Sequence, residues 1–264
     1  MRCIALASLT MLLLYGGPAE AKEKSSSSLV VGFINVDWFP FHYEEGQRIK
    51  GFSIDVVAAV LKQMRREVEF RPTPFSAGLS ELKNGEMDAY FGLGKNLSRI
   101  EQFHYSDTPL YVDETVLVGK VDDDFKFNGD VSSLIGSRVG IIKGAIHGPA
   151  FDNMNGIIRV PHDSGKVRTA QFFHDLEAGD YRFIVVNARA GATHYLRNLG
   201  LQNKLRIYRE PVAIKSYFLV FSKRIKNFEK ISRRFNRVHK LFRSTAEYDA
   251  LLEKYNLSRK LFPR

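Results

Sequence analysis

A chain of 264 residues can form one large or two modest domains and can bury a sizeable core. Its 39 Lys and Arg outnumber its 29 Asp and Glu, which gives a formal charge of +10. The single cysteine is Cys3, inside an N-terminal segment that we expect to be removed. The rest of the chain therefore has no residue for a disulfide, a thiol nucleophile or a cysteine-based metal site.

The N-terminus has the pattern of a secretory signal peptide. A positive residue precedes an apolar run at 4–14, which is too short to span a bilayer, and Ala-Glu-Ala at 19–21 is a small-residue cleavage signal. We therefore expect 1–21 to be a signal peptide and 22–28 a flexible leader of an exported protein. Because an exported protein rarely meets nucleic acid, we interpret the Lys and Arg that are dense from Arg197 onward as a solvated basic face.

The next part of the chain alternates between strand and helix patterns. Apolar runs predict strands and three-to-four-residue spacing predicts helices, the second helix being closed by Gly85. The predicted elements are strands at 29–35, 68–70 and 87–93 and helices at 52–64 and 75–84. This β-α-β-α-β order indicates a parallel sheet with crossover helices.

A second unit of similar plan follows a strand at 112–120 and an acidic connection. Its predicted elements are strands at 138–143, 157–160 and 183–186 and helices at 167–178 and 190–199, and further strands are predicted after it at 205–208 and 217–221. The tail reads as two helices, one with an apolar stripe from Ile225 to Phe242 and one capped by Thr245. Two α/β lobes of similar size predict a ligand cleft between them.

Signatures of common enzymes are absent from the sequence. There is no H-E-x-x-H, no G-x-S-x-G and no phosphate loop, and Leu97 stands where a dinucleotide fingerprint starting at Gly92 needs its third glycine. The seven His lack metal-ligand spacing, and the Asp run at 122–124 lacks the alternation of a calcium loop. We therefore expect no cofactor and no metal.

Six motifs occur in an order that points to one family. They are W-F-P-F at 38–41, G-F-S-I-D at 51–55, L-K-N-G-E-M-D-A at 82–89, N-L-S-R at 96–99 with the aromatic run at 103–111, V-G-I-I-K-G at 139–144 and L-E-A-G at 176–179. With these motifs the chain resembles the extracytoplasmic solute-binding proteins of family 3, the polar amino-acid receptors of ABC importers.

The resemblance implies a fold class, α/β with the two-lobe periplasmic-binding-protein-like fold (type II). Such a fold has parallel-type sheets flanked by helices and a ligand cleft between the lobes. Residues 29–118 and 215–264 would form the first lobe and 119–214 the second, with two hinge crossings near 119–122 and 209–215.

The resemblance also assigns roles in the first lobe. The family's arginine, which binds the ligand carboxylate, falls on Arg99, and a planar guanidinium does match a carboxylate. The aromatics that enclose the ligand fall on Trp38 and Phe52. Gly94 stands where the family often has a hydroxyl residue, so only its backbone can contribute, with Asn96 beside it. A surface ion pair for Arg99 and a core position for Trp38 are the alternatives left open.

Second-lobe positions depart from the family pattern. The family has Ser or Thr pairs after the Lys-Gly of the 139–144 motif, whose amides and hydroxyls complete the carboxylate site. Here Ala145 and Ile146 follow, so the amides can remain but the hydroxyls are gone. His147 comes next, pointing either inward or to solvent.

Two positions have lost a negative charge. The family has Asp where this chain has Asn187, and that Asp pairs with the ligand α-ammonium; Asn35 likewise replaces a common Asp. A buried ammonium without a counter-charge is costly, and a neutral amide is a weaker partner than a carboxylate. Asp37 or Glu44 could substitute.

From this we expect a periplasmic solute-binding protein, not an enzyme. It would capture a small ligand with an acidic group, an amino acid or a related organic acid, and deliver it as a monomer to an ABC permease in the inner membrane. The alternatives are a periplasmic sensor or interaction protein on the same fold, or a dehydratase of prephenate-like acids. The latter needs a pocket acid or base, for which Asp37, Glu44 and His147 are the nearby candidates.

Overall fold

The structure is a computed structural model that describes residues 28–163, 166–259 and Phe262, with only the backbone of 166–168. The predicted signal peptide and all of the predicted leader except Ser28 lie outside the described residues. Within the described ranges, no helix is both long enough and apolar enough to cross a membrane.

The first half of the chain builds a sheet between helices. Its elements are β1 Ser28–Ile34, β2 Tyr43–Glu45, β3 Arg48–Lys50, α1 Phe52–Gln63, β4 Glu67–Thr73, α2 Phe75–Asn84, β5 Ala89–Leu93, α3 Leu97–Gln102 and β6 Phe103–Tyr105. Strand β1 pairs in parallel with both β4 and β5. Alternate β1 side chains point to opposite faces, so Leu29 and Val31 pack with α1 while Val30 packs with the residues of α2.

The second half repeats this plan, and the tail returns to the first half. Its elements are β7 Tyr111–Lys120, the 3₁₀ turn Val131–Leu134, β8 Arg138–Ile142, α4 Pro149–Asp152, β9 Ile158–His162, α5 Lys166–Ala178, β10 Phe183–Val186, α6 Arg189–Asn198, β11 Leu205–Ser222, α7 Phe228–Phe242 and α8 Ala246–Lys254. Strand β8 pairs in parallel with both β9 and β10. Helices α7 and α8 pack on α1.

The strands β7 and β11 carry the connection between the two parallel groups. The sheet order is β4-β1-β5-β11-β7-β10-β8-β9, with β6 also on β11. Strand β11 is antiparallel to β5, β6 and β7, and β10 is antiparallel to β7. The predicted two-lobe α/β fold is confirmed, but its sheet is mixed rather than purely parallel, because the two connecting strands run against their neighbours.

Strand β11 corrects the prediction of separate strands at 205–208 and 217–221, since one 18-residue strand covers both. The residues between them remain paired with β7, with irregularities around Pro211. Proline has no N–H for the ladder, so an irregularity is where a strand tolerates it. The lobe boundaries at 118/119 and 214/215 remain a prediction. Core packing favours an earlier first crossing, because Val116 and Val118 already belong to a second-half cluster.

Local end signals were predicted well, and short elements were not. Gly85 ends α2 in the left-handed region, with φ 83°, and Thr245 Oγ1 accepts the Tyr248 N–H at 3.3 Å to cap α8. Helix α7 begins at Phe228, three residues after the start of the predicted stripe. The hairpin of β2 and β3 and the short strand β6 were missed because three-residue strands carry almost no periodic signal.

Candidate ligand-binding cavity

A cavity lies where the carboxyl ends of parallel strands from both halves meet, as expected for open α/β sheets. It encloses about 840 Å³ of empty space, including the part open to solvent. Four groups of lining residues follow strand ends: Ile34, Val36 and Asp37 after β1; Gly92 and Gly94 at β5; Ile142, Ala145 and Ile146 after β8; and Val186, Asn187 and Ala188 after β10.

Arg99 enters the cavity from the first turn of α3. Asn96 caps that helix by accepting the Arg99 backbone N–H at 2.8 Å. The guanidinium donates to two backbone carbonyls, Gly94 O on the same half at 3.2 Å and Gly144 O on the other half at 2.7 Å. It also lies over the Phe75 ring at 5.3 Å. Burial lowers the pKa of Arg99, but a guanidinium remains charged, and these two bonds leave it further N–H donors for a ligand.

A second positive side chain, Lys215, contacts the turn after β8. Gly144 takes a φ of +76°, in the left-handed region that favours glycine, and its carbonyl faces Arg99. Two residues later, the Ile146 carbonyl accepts a hydrogen bond from Lys215 Nζ. Arg99 and Lys215 therefore bind alternate carbonyls of one short turn, which places two positive side chains side by side in the cavity wall.

Lys215 also contacts Asn187. Its Nζ donates to Asn187 Oδ1 at 3.0 Å, and Thr115 Oγ1 donates to the same oxygen at 3.1 Å. Burial, the largest cause, lowers the pKa of Lys215 to about 7, with the Arg99 charge acting in the same direction and the Asp152 and Asp113 carboxylates opposing it. The lysine therefore loses its proton far more readily than an exposed lysine does.

A buried carboxyl group faces this region from the neighbouring strand. Asp113 on β7 lies directly across from Lys215 in the β7–β11 ladder. Burial raises the pKa of Asp113 to about 7, opposed by the Glu114 backbone N–H at 2.7 Å and by the Trp38 indole. Trp38 lines the cavity and packs edge-on against Tyr217 with ring centroids 5.1 Å apart. An aromatic wall thus adjoins the charged groups.

Six of the ten residues singled out from the sequence line this cavity: Trp38, Gly94, Arg99, Ala145, Ile146 and Asn187. The remaining four do not. Phe52 is fully buried in the first-half core, edge-on to Tyr248, Tyr255 and Phe262. As the first residue of α1, it points toward the α7–α8 side of the sheet rather than toward the cleft.

Asn35, Asn96 and His147 also lie outside the cavity lining. The Asn35 side chain is exposed, while its backbone N–H donates to Thr73 O at 2.8 Å. Asn96 acts through its helix cap instead. The third, His147, is buried edge-on to the Phe151 ring at 5.6 Å, and its burial lowers its pKa.

Three backbone amides in the segment 145–148 are used internally. Asp152 accepts the N–H groups of His147 and Gly148 at distances between 3.0 and 3.1 Å. The Ala145 N–H donates to Ile142 O at 3.1 Å. The amides of Ala145, His147 and Gly148 therefore bind the chain's own carbonyl and carboxylate, and the expectation that amides of this turn complete the carboxylate site stays a prediction for Ile146.

Sequence reasoning missed Lys215, Tyr217 and Phe75. All three line the cavity. Lys215 and Tyr217 are two apart on β11, so strand alternation places them on one face. Extending the predicted strand at 217–221 backward by two residues would have found the lysine. No group of three or more His, Cys, Asp or Glu in the described part of the chain could hold a metal ion.

Comparison with known proteins gives relatives over most of the chain. The probable amino-acid-binding protein YxeM of Bacillus subtilis is 21% identical over 260 residues, 96% of this chain and 92% of that protein. The arginine-binding extracellular protein ArtP of the same organism is 26% identical over 144 residues, and this match spans only 54% of this chain and 55% of ArtP.

Solved structures share the fold. An ancestral arginine-binding protein bound to arginine has a TM-score of 0.73 at 22% identity, covering 87% of this chain and 98% of its own. A substrate-binding protein of an ABC uptake transporter from Streptococcus pneumoniae, with bound histidine, has a TM-score of 0.73 at 17% identity, covering 88% of this chain and 93% of its own.

The family profile extends over nearly all of the described residues. It matches 29–258, from the start of β1 to beyond α8. The match includes both parallel groups, the connecting strands and every cavity-lining residue. The chain therefore belongs to the bacterial extracellular solute-binding proteins, family 3.

Proposed function

We propose that this protein is a periplasmic solute-binding protein that captures a small carboxylate-bearing ligand and delivers it to an ABC importer. The observation that carries the proposal is the pair of cations, Arg99 and Lys215, on one turn of the cavity wall. Two adjacent positive groups in a partly desolvated site favour an anion, because charges attract more strongly where water is excluded.

The cations carry most of the proposed recognition of the acid group. The amides of His147 and Gly148 bind Asp152, and the Ala145 amide binds Ile142, so these donors do not face a ligand. A guanidinium accepts a carboxylate in a two-point contact, and an ammonium adds a point charge. Most other lining residues are apolar or aromatic, which suits a ligand with a small hydrophobic body.

The contact from Arg99 to Gly144 supports a role in closure. It joins α3 in the first half to the turn after β8 in the second half. Binding proteins of two lobes close by hinge motion around a ligand, and the strands β7 and β11 are the natural hinge. A carboxylate bound to Arg99 would lie beside Gly144 of the second half. It would therefore favour the arrangement in which the two halves are in contact.

Two of the candidate bases for a dehydratase are held in contacts within the chain. His147, one candidate base for a dehydratase, is buried outside the cavity beside Asp152. Asp37 does line the cavity, but its Oδ1 accepts the Glu44 N–H at 3.0 Å. We propose a monomer that works in the periplasm with a permease. Two relatives, named as an ABC transporter arginine-binding protein and an arginine-binding periplasmic protein, support the permease and the compartment.

The proposal is tested by thermal-shift and calorimetric screening of amino acids and organic acids. Wild type and Arg99→Ala are compared, with Arg71→Ala as the matched control, since Arg71 is a surface residue paired with Glu69 at 3.1 Å. We expect a small carboxylate to bind wild type and the control equally and Arg99→Ala far more weakly. A carboxylate ligand that binds all three proteins equally would contradict the proposal.

A further inference from the structure

The side-chain oxygen of Asn187 accepts a hydrogen bond from Lys215, one of the paired cations, and its hydrogen-bonding capacity is filled. An amide oxygen has two lone pairs, and Thr115 Oγ1 and Lys215 Nζ donate to it at 3.1 and 3.0 Å. A lysine ammonium can only donate, so the amide must present its oxygen to Lys215 rather than its NH₂ group. A ligand ammonium would find no free lone pair on this oxygen.

A ligand ammonium at this place would also meet like charge. Lys215 and Arg99 hold the carbonyls of Ile146 and Gly144, so both cationic heads border the same part of the cavity. An ammonium added between them would be repelled by both cations, and the nearby carboxyl groups of Asp113 and Asp152 already face Lys215, so the cost of desolvating the ammonium would be poorly offset. A ligand oxygen at the same place would instead accept from Lys215 while its carboxylate binds Arg99.

One carboxylate in the lining could still bind an ammonium. Asp37 follows β1, and its charge acts on Tyr195 and His194 of α6. A ligand that used Asp37 would need its ammonium away from the two cations. The two arrangements can therefore be separated by the position of the amine relative to the carboxylate.

We propose that Lys215 is a specificity-determining residue that makes the cavity select acids bearing an oxygen, not an amine, on the carbon next to the carboxylate. This inference rests on the proposed function, because it assumes that the acid binds Arg99. The ligand class is a 2-oxo or 2-hydroxy acid with an apolar body. The carboxylate would bind Arg99, the neighbouring oxygen would accept from Lys215, and the body would contact the aromatic wall around Trp38.

The test uses sets of three ligands that differ only in the group on the carbon next to the carboxylate. Calorimetry at pH 6 compares 4-methyl-2-oxopentanoate, 2-hydroxy-4-methylpentanoate and leucine, and then phenylpyruvate, phenyllactate and phenylalanine. We expect wild type to bind the 2-oxo or 2-hydroxy member of at least one set at least tenfold more tightly than the amino acid. Lys215→Met should reduce that ratio at least fivefold, and Lys215→Met/Asn187→Asp should reverse it by restoring a carboxylate for the amine.

The outcomes separate this inference from the proposed function. Wild type that binds an amino acid as tightly as its 2-oxo counterpart overturns the inference and leaves the proposed function standing; loss of that binding in Asp37→Asn would locate the amine. Binding of no acid by wild type or by the double variant overturns both. The wild-type ratio decides the question even if a variant fails to fold, which thermal unfolding would show.

Discussion

Arg99 and Lys215 reach the same turn from different parts of the molecule and differ in how firmly their charge is held. Arg99 comes from the first turn of a short capped helix, and its guanidinium stays charged even though burial lowers its pKa. Lys215 lies on the strand shared by both halves, and burial lowers its pKa to about 7. The cavity thus combines Arg99, which stays charged, with Lys215, whose charge changes with pH near neutrality.

The largest effect should follow from removing Arg99. Arg99→Ala deletes a charge-assisted two-point contact, and we expect the affinity for a carboxylate ligand to fall about 100-fold, or about 3 kcal/mol. Arg99→Lys should recover only part of this loss, since an ammonium keeps the charge but not the planar fork. Calorimetry on both variants measures the affinities. A loss of affinity below threefold in Arg99→Ala would show that Arg99 does not bind the carboxylate.

The charge of Lys215 should make affinity depend on pH. A bound anion favours the charged form of Lys215 and raises its pKa above about 7, so binding above pH 7 takes up a proton and weakens as pH rises, by at most about tenfold per unit. Below pH 7 this group adds no dependence. The charged groups that face Lys215 are Arg99 from α3, Asp113 from β7 and Asp152 from α4.

Two variants assign that dependence. Asp113 also titrates near 7 and becomes negative as pH rises, which weakens anion binding in the same direction. Lys215→Met and Asp113→Asn should each flatten part of the profile between pH 7 and 9. Calorimetry in two buffers of different ionisation enthalpy counts the protons taken up. A wild-type profile that stays flat over this range would show that Lys215 does not contact the ligand.

A smaller effect is expected on folding. Lys215 has a pKa of about 7 in the folded protein and an ordinary value of 10.5 when exposed, so between these values the unfolded chain holds more protons and stability rises with pH. Relative to Lys215→Met, wild type should gain up to about 1 kcal/mol per pH unit between pH 7 and 9. Urea unfolding of both proteins measures this, and parallel pH profiles would contradict the lowered pKa.

The smallest effect on binding should come from Phe52. This ring is in the core against Tyr248 and Phe262, so Phe52→Leu should lower the free energy of unfolding by roughly 1–2 kcal/mol. Ligand affinity and its pH profile should stay as in wild type, because neither cation touches this region. Trp38→Leu is the matched comparison, since Trp38 lines the cavity, and we expect it to weaken binding. Equal losses of affinity in both would contradict this distinction.

The elements could be predicted from sequence wherever local pattern determines them. The helix from Phe75 ends at Gly85 because a left-handed residue closes it, and Thr245 caps α8 through its own hydroxyl. The contacts in the cavity depend on longer range. Lys215 is one cation among 39 Lys and Arg, and only the pairing of β11 with β7 and the turn after β8 brings it to Asn187.

A match to a family motif predicted the direction of a side chain less well. The motif around Phe52 is present, yet the first residue of α1 faces the core, while Phe75 at the start of α2 faces Arg99. His147 follows the expected turn but is drawn inward by Asp152, whose carboxylate binds its backbone N–H. Neither outcome is encoded in residue spacing, because each depends on which helix packs against the segment.

The most direct test of the paired cations is native mass spectrometry of wild type and Arg99→Ala, each incubated at pH 6 with an equimolar mixture of amino acids and their 2-oxo and 2-hydroxy counterparts. We predict that wild type retains the mass of a 2-oxo or 2-hydroxy acid and that Arg99→Ala retains none. Retention of an amino acid by wild type would contradict the role of Lys215, and equal retention of one acid by both proteins would contradict the cation pair as the binding site.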